Sequence, residues 1–129
     1  MGVMQGLTKI DQLRPGAVGL DLIVKVVNSK AIMLRGRNGN QGSNMRLAEC
    51  LVGDESGIII FTARNDQVNL MKEGNTVSLK NAKIDMYKGS MRLSVDRWGH
   101  LEVTSPNHIS VKEDNNLSLI EFELISVQE

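Results

Sequence analysis

Residues 45–64, MRLAECLVGDESGIIIFTAR, combine two β-like runs with a turn between them. Ala48, Cys50 and Val52 recur at every second position, the spacing of side chains on one face of a β-strand. DESG predicts a turn, because Asp favours the start of a turn and Gly57 tolerates a positive φ. IIIFTAR is a second run that is rich in β-branched residues. Two strands joined this tightly run antiparallel, so the sequence predicts a central β-hairpin.

A strand is also predicted before the hairpin, from GLDLIVKVVN at residues 19–28. Its apolar residues at 20, 22, 24 and 26 have the period of two that marks a half-buried strand, and the pattern continues through Leu34. GRNGNQGSN at residues 36–44 contains three glycines and three asparagines, which predicts a loop.

The chain after the hairpin predicts one short helix and further strands. NDQVNLMKEG at residues 65–74 offers Asn65 or Asp66 as N-cap and Gly74 as the stop, which suits one or two helical turns. TVSLKNAKID (76–85) and KGSMRLSVD (88–96) predict two strands. LSLIEFELISV (117–127) also fits a helical stripe, but its β-branched and aromatic residues favour a last strand.

Three strands, a helix and two strands follow one another in the order of an OB-fold, a five-stranded Greek-key barrel. We therefore expect an all-β protein: an OB-fold barrel with one short helix between strands three and four, and an added C-terminal strand. A two-sheet sandwich is the alternative, because the order of strands in space is not visible in the sequence. The length suits a single domain over residues 1–129. In it, the barrel core spans about residues 7–103, and an extension over 104–129 packs on or completes the barrel.

Composition argues against several classes of protein. The longest apolar runs fall far short of the ~20 residues that a membrane helix needs, and the N-terminus lacks the pattern of a secretory signal. The single cysteine, Cys50, cannot form an internal disulfide, so we expect an intracellular location. His100 and His108 lie apart and form no cluster with zinc-ligand spacing, so we expect neither a metal nor a cofactor. Acid pairs such as Asp54 with Glu55 lie in a turn without a neighbouring histidine, so no catalytic residue is expected.

Charge is balanced overall but unevenly distributed along the chain. The fifteen basic and fifteen acidic residues cancel, so the strongly cationic signature of many nucleic-acid binders is missing. Many of the bases nevertheless fall on the two loops that an OB-fold uses for ligands. Such bases can contact phosphates, although charged loops also simply solvate a surface. Those around the first loop are Arg35, Arg37 and Arg46, and those around the second are Lys83, Lys88 and Arg92.

The motifs GDESG, FTARNDQ, LMKEG and YKGSMRLSVDRWG resemble those of a family of small plant and protist OB-fold proteins. The chain is more distantly similar to the OB-fold component of the sensor of single-stranded DNA complex and to OB domains of replication protein A. The resemblance covers roughly residues 7–103 and implies a barrel that receives a single strand on the outer face of strands two and three. Those relatives stack bases on aromatic residues. Tyr87 stands at such a position here, whereas Arg64, Lys83 and Ser94 replace aromatics at others.

Only four aromatic residues are present, which limits how many bases the protein can stack. Phe61 and Phe122 lie in apolar runs and are expected in the core. Tyr87 at a turn and Trp98 beside Arg97 are candidates for stacking, with packing as the alternative role. The predicted partner is single-stranded DNA or RNA, and the predicted binding residues are Arg35, Arg37, Arg46, Arg64, Lys83, Tyr87, Lys88, Arg92, Arg97 and Trp98.

An apolar strand face supports a second hypothesis, a protein-interaction module or a homodimer. Leu47, Leu51, Ile58 and Ile60 lie opposite the core-facing residues of strands two and three. If nothing covers them, they form a patch suited to a protein partner. If the C-terminal strand covers them, they are ordinary core.

Overall fold

The computed structural model of the chain describes residues 7–33, 46–105, 109–123 and 125. These ranges contain six strands, one short helix, α1 (Gln67–Leu70), and 3-10 turns at Ile10–Gln12 and Leu117–Leu119. No helix in them is long and apolar enough to cross a membrane. The strands are β1 (Leu20–Met33), β2 (Arg46–Asp54), β3 (Gly57–Arg64), β4 (Thr76–Tyr87), β5 (Ser90–Ser94) and β6 (His100–Thr104).

Five of the strands close into a ring. β2 pairs antiparallel with β1 and β3, and β4 pairs antiparallel with β1 and β5. β3 and β5 run parallel and pair at Phe61 and Leu93. The order β1-β2-β3-β5-β4, closed by the β1–β4 pairing, is that of an OB-fold. The predicted Greek-key barrel with α1 between β3 and β4 is confirmed, and the sandwich alternative is wrong because the strands form one closed sheet.

The central hairpin shows how alternation separates the core from the outer face. Cys50 is paired with Phe61 across β2 and β3, and both are fully buried inside the barrel. Their chain neighbours Glu49 and Thr62, also paired, point to the opposite side and remain half-buried. Phe61 and Cys50 are core residues as predicted, and Phe122 is partly buried against the core.

The strand predicted at residues 117–127 is wrong for the part that the structure describes. Leu117–Leu119 is a 3-10 turn, and none of the described residues after it lies in a strand. The side chain of Asn116 accepts a hydrogen bond from the Ser118 amide at 2.9 Å, which favours a turn over an extended ladder. The added strand is instead β6, which pairs antiparallel with the first half of β4.

Ser118 links the C-terminal segment, residues 109–123, to the barrel where β3 and β5 meet. Its hydroxyl accepts a hydrogen bond from the Ile60 amide at 3.0 Å and donates one to the Met91 carbonyl at 2.6 Å. Ile60 lies on β3 and Met91 on β5. The side chain of Ser118 therefore links two strands that pair with each other at one register position.

The same segment covers part of the apolar strand face formed by Leu47, Leu51, Ile58 and Ile60. The Ile58 amide donates to the Asn115 carbonyl at 2.8 Å, and the Ile58 side chain is only 3% exposed. Leu47, Leu51 and Ile60 remain half-buried. One of the two predicted alternatives was that the C-terminal part of the chain covers this face. It does so only in part, because Ile58 is buried in the core whereas the other three residues stay partly exposed.

Candidate functional site

A groove of about 740 Å³ lies on the outer face of the barrel, hereafter the first groove. It is formed by outward-pointing residues of β2, β3, β4 and β5 together with one residue of β1. Its place follows from alternation, since Leu47 and Glu49 flank the buried Ala48 on β2. Three bases and two acids are among its lining residues, which are Ile32, Leu47, Glu49, Thr62, Arg64, Lys83, Asp85, Met86, Tyr87 and Arg92.

Arg92 is held by two neighbours inside the first groove. Its Nη1 donates to Glu49 Oε2, and the side chains of Arg92 and Glu49 are 18% and 33% exposed. The Arg92 guanidinium also lies 4.7 Å from the centroid of the Tyr87 ring, within cation–π range. Arg92 Nε is buried and has no hydrogen-bond partner in the described part of the chain. The ion pair therefore leaves donor capacity on Arg92 unused.

Tyr87 ends β4 at a tight turn and is 52% exposed. The turn residues Lys88 and Gly89 have φ values of +50° and +84°, as a type I′ hairpin turn requires. The Phe122 amide donates to the Gly89 carbonyl at 2.8 Å, and a Cβ at Gly89 would lie 2.9 Å from the Phe122 carbonyl oxygen. The C-terminal segment thus packs closely against the turn that displays Tyr87, and only glycine allows this approach.

Lys83 lies close to two acidic side chains. Its Nζ lies 3.7 Å from Asp85 Oδ1 and 3.6 Å from Asp96 Oδ2. The Ser94 hydroxyl donates to Asp85 Oδ2 at 2.7 Å and is itself part of a fully buried residue. Ser94 stands where the resemblance implies an aromatic, and its burial removes it from contact with a ligand.

A second groove of about 510 Å³ surrounds the turn between β5 and β6. Trp98 is its largest exposed residue, with 72% of the side chain accessible, and the Arg97 guanidinium lies 5.0 Å from the tryptophan ring. The second groove is lined by Arg64, Asn65, Gln67, Val95, Asp96, Arg97 and Trp98.

Hydrogen bonds fix the backbone that carries Trp98. The Trp98 amide donates to Asp96 Oδ1 at 2.9 Å, and its carbonyl accepts from Asn81 Nδ2 at 3.0 Å. The next residue, Gly99, donates to the Asp96 carbonyl at 3.0 Å, and a Cβ there would lie 2.6 Å from the Lys80 carbonyl oxygen. These hydrogen bonds hold the turn that displays the tryptophan.

Arg64 lines both grooves and so joins them into one path. It ends β3 and is exposed, and its amide donates to Gln67 Oε1 at 3.1 Å. Gln67 in turn donates to the Val95 carbonyl at 2.8 Å, which ties α1 to the chain beside Trp98. Within the described ranges, the Arg64 guanidinium forms no ion pair.

The structure gathers most of the predicted binding residues along this path. Arg64, Lys83, Tyr87 and Arg92 line the first groove, and Arg64, Arg97 and Trp98 line the second. Lys88 is exposed beside Tyr87, with its Nζ 5.4 Å from the ring centroid. Arg46 is exposed but lines neither groove, and its Nη2 donates to Asn69 Oδ1 at 2.8 Å. Arg35 and Arg37 lie outside the described residues.

Sequence reasoning did not find Glu49 as a groove residue. Its position between Leu47 and Leu51 indicated that it points outward, but Arg92, its partner, lies 43 residues further along the chain. Thr62 and Met86, which also line the first groove, were not predicted either. Within the described ranges, no group of histidine, cysteine and acidic side chains is placed to hold a metal ion.

A closed five-stranded ring with a groove across β2 and β3 defines an OB-fold protein. The comparison with protein families is more specific, because residues 13–103 match the family described as "Single-stranded DNA binding protein Ssb-like, OB fold". The chain belongs to this family. The resemblance to OB-fold single-strand binders expected from the motifs is thereby confirmed.

Individual relatives agree with the family assignment. An uncharacterized protein of Arabidopsis thaliana is 52% identical over an alignment of 126 positions, which covers 92% of this chain and 82% of the relative. The single-stranded DNA binding protein Ssb of Saccharolobus solfataricus is 29% identical over 87 residues, which are 67% of this chain and 56% of the relative.

Two solution structures are similar to the fold described above. A hypothetical protein from Arabidopsis thaliana has a TM-score of 0.78 at 48% identity, covering 95% of this chain and 90% of that one. An OB domain from Thermoplasma acidophilum has a TM-score of 0.61 at 18% identity, covering 83% of this chain and 93% of that one. The second likeness concerns the fold alone.

Proposed function

We propose that the protein binds single-stranded DNA or RNA along the two grooves and catalyses no reaction. The observation that carries the proposal is the single path through Arg64, which has an exposed aromatic residue in each half, Tyr87 and Trp98. Membership of the Ssb-like family supports it, and the Saccharolobus solfataricus relative is named for single-stranded DNA binding.

The cations best placed to contact phosphates are those that no acidic side chain already neutralises. Lys83 and Arg92 have acidic partners in the first groove, so a phosphate gains less binding energy by contacting them. Arg64, Lys88 and Arg97 form no ion pair in the described part of the chain. These three are the main phosphate contacts, and their neutralisation releases counterions, so affinity falls as salt rises. Arg46 at the start of β2 remains a predicted contact, as do Arg35 and Arg37, which lie outside the described residues.

The stacking contacts are assigned to Tyr87 and Trp98. A tryptophan that is 72% exposed adds little to the stability of the fold, yet its backbone is fixed by the hydrogen bonds to Asp96 and Asn81. Such a side chain is a preorganised surface for a base. Stacking contributes about 1–3 kcal/mol per base, and two aromatic residues limit the total. The proposed grip is therefore electrostatic first and stacking second.

A titration of a labelled thymine oligonucleotide at several salt concentrations, followed by fluorescence anisotropy, tests this function. Tyr87→Ala and Trp98→Ala should each weaken binding by about 1–3 kcal/mol, and the wild type should bind more weakly as salt rises. Lys72→Ala is a control, because Lys72 is exposed and lines neither groove. Absence of binding at low salt contradicts the proposal, as does binding that ignores salt and both aromatic substitutions.

The competing function is a protein-interaction module or a homodimer. Leu119 and Ile120 are 77% and 44% exposed, and they directly follow Ser118, whose hydroxyl accepts a hydrogen bond from the Ile60 amide. The strand residues Leu51 and Ile60 remain half-buried. Failure of every oligonucleotide to bind, together with self-association that Leu119→Ser abolishes in light scattering, would favour this second function.

A further inference from the structure

We propose that the first groove reads bases as well as holding the strand, and that Glu49 with Arg92 makes it prefer guanine to thymine or uracil. This inference rests on the proposed binding of single strands. It names a specificity-determining pair that contacts the base and not the phosphate.

Glu49 places a carboxylate in the first groove. A carboxylate in a groove that holds phosphates repels them, so this part of the groove does not suit the backbone of a nucleic acid. Glu49 Oε2 accepts from Arg92, whereas Oε1 has no hydrogen-bond partner in the described part of the chain. The side chain is 33% exposed, and it lines the first groove. One acceptor oxygen is thus available to a ligand.

The Arg92 guanidinium has hydrogen-bond donors beyond the one that it uses for Glu49. The guanidinium makes one hydrogen bond in the described ranges, from Nη1 to Glu49, and 18% of the Arg92 side chain is exposed. Its remaining Nη hydrogens are donors beside the Glu49 acceptor, and the guanidinium lies 4.7 Å from the centroid of the Tyr87 ring. The pair therefore presents an acceptor and donors side by side, next to an aromatic ring.

The chemistry of the bases then separates guanine from thymine and uracil. In a single strand the Watson–Crick edge is open to side chains, and carboxylates accept from base N–H groups while arginine donates to carbonyl oxygens. Guanine presents two neighbouring donors, N1–H and the 2-amino group, beside the O6 acceptor. Thymine and uracil present one N–H between two carbonyl oxygens, which a carboxylate repels. Glu49 accepting from guanine while Arg92 donates to O6 uses both members of the pair.

The test compares three labelled oligonucleotides of equal length. One contains only thymine, one carries isolated guanines that are never adjacent, and one carries inosine at the same positions, which removes only the 2-amino group. The wild type should bind the guanine strand at least about fivefold more tightly than the thymine strand, the lower bound for one bidentate base contact. Inosine keeps N1–H beside O6, so the inosine strand should also bind more tightly than the thymine strand.

Glu49→Gln separates base reading from simple charge. We expect it to weaken binding of the guanine strand and to strengthen binding of the thymine strand, because it removes an acceptor from one and a repulsion from the other. Glu102→Gln removes the same charge from β6, outside both grooves, and should leave the guanine preference unchanged. Arg92→Lys keeps the charge but loses the planar donor geometry, and it should also reduce the preference. Thermal melting confirms that each variant is folded.

The outcomes are distinct. A wild type that binds all three strands equally overturns the inference and leaves the proposed function intact. An equal gain in affinity for every strand on Glu49→Gln also overturns it, since that is the effect of charge alone. If no strand binds, the proposed function itself is wrong, and this inference is wrong with it.

Discussion

Arg64 is the residue at which the two grooves meet, and its replacement by alanine gives the sharpest test of a continuous binding path. The guanidinium is exposed and forms no ion pair in the described part of the chain, so removing it leaves no buried acid without a partner. The hydrogen bond to Gln67 comes from the Arg64 backbone amide and survives the substitution. We therefore expect Arg64→Ala to fold normally and to lose one phosphate contact.

The magnitude follows from counterion release. For single strands the slope of log affinity against log salt changes by about 0.7 for each phosphate contact. The slope of Arg64→Ala should therefore be shallower than that of the wild type by about 0.7. Between about 50 and about 200 mM salt, the ratio of wild-type to variant affinity should shrink by about 2.6-fold.

The assay is an anisotropy titration of a labelled thymine oligonucleotide at four or more salt concentrations, run in parallel on the wild type, Arg64→Ala and Lys72→Ala. Lys72 is a cation that lines neither groove, so its variant should keep the wild-type slope. If Arg64→Ala keeps the wild-type slope and affinity, then Arg64 does not contact a phosphate. The assignment of both grooves to one strand would then fail.

Three further predictions concern binding, stability and reactivity. Fluorescence of Trp98, the only tryptophan, should be quenched on titration with an unlabelled strand, and unchanged emission at saturation would exclude stacking there. Ser118→Ala should lower the free energy of unfolding by about 1–3 kcal/mol in urea, because it leaves the Ile60 amide and Met91 carbonyl without their partner; an unchanged midpoint would contradict this. Burial raises the pKa of the Cys50 thiol, so less thiolate forms at neutral pH and iodoacetamide should label the native protein far more slowly than the urea-unfolded one; equal rates by mass spectrometry would refute it.

The strands of the barrel could be predicted because their signal is local. Ala48, Cys50 and Val52 alternate with outward residues, and a period of two determines both that a strand forms and which side chains enter the core. The same argument failed over the described part of residues 117–127. Apolar and β-branched composition favoured a strand there, whereas the hydrogen bonds of Asn116 and Ser118 produce a turn docked on β3 and β5.

The candidate site could be predicted only in part. Composition and local context indicated that Tyr87 and Trp98 are exposed and that bases gather near the ligand loops, and the structure places these two aromatics in the two grooves. The sequence does not distinguish a free cation from a neutralised one. Arg92 and Lys83 read as phosphate contacts, but each faces an acid, and the partner of Arg92 lies 43 residues away in the chain.

The local pattern of residues therefore predicts the barrel, the hairpin at its centre and the residue types available to hold a ligand. The folded chain is needed to see that Arg64 joins two grooves, that Glu49 lies beside Arg92, and that the C-terminal segment contacts the turn carrying Tyr87. Alternation is a property of neighbouring residues, whereas ion pairs and grooves depend on the register between strands, which is set when the barrel closes.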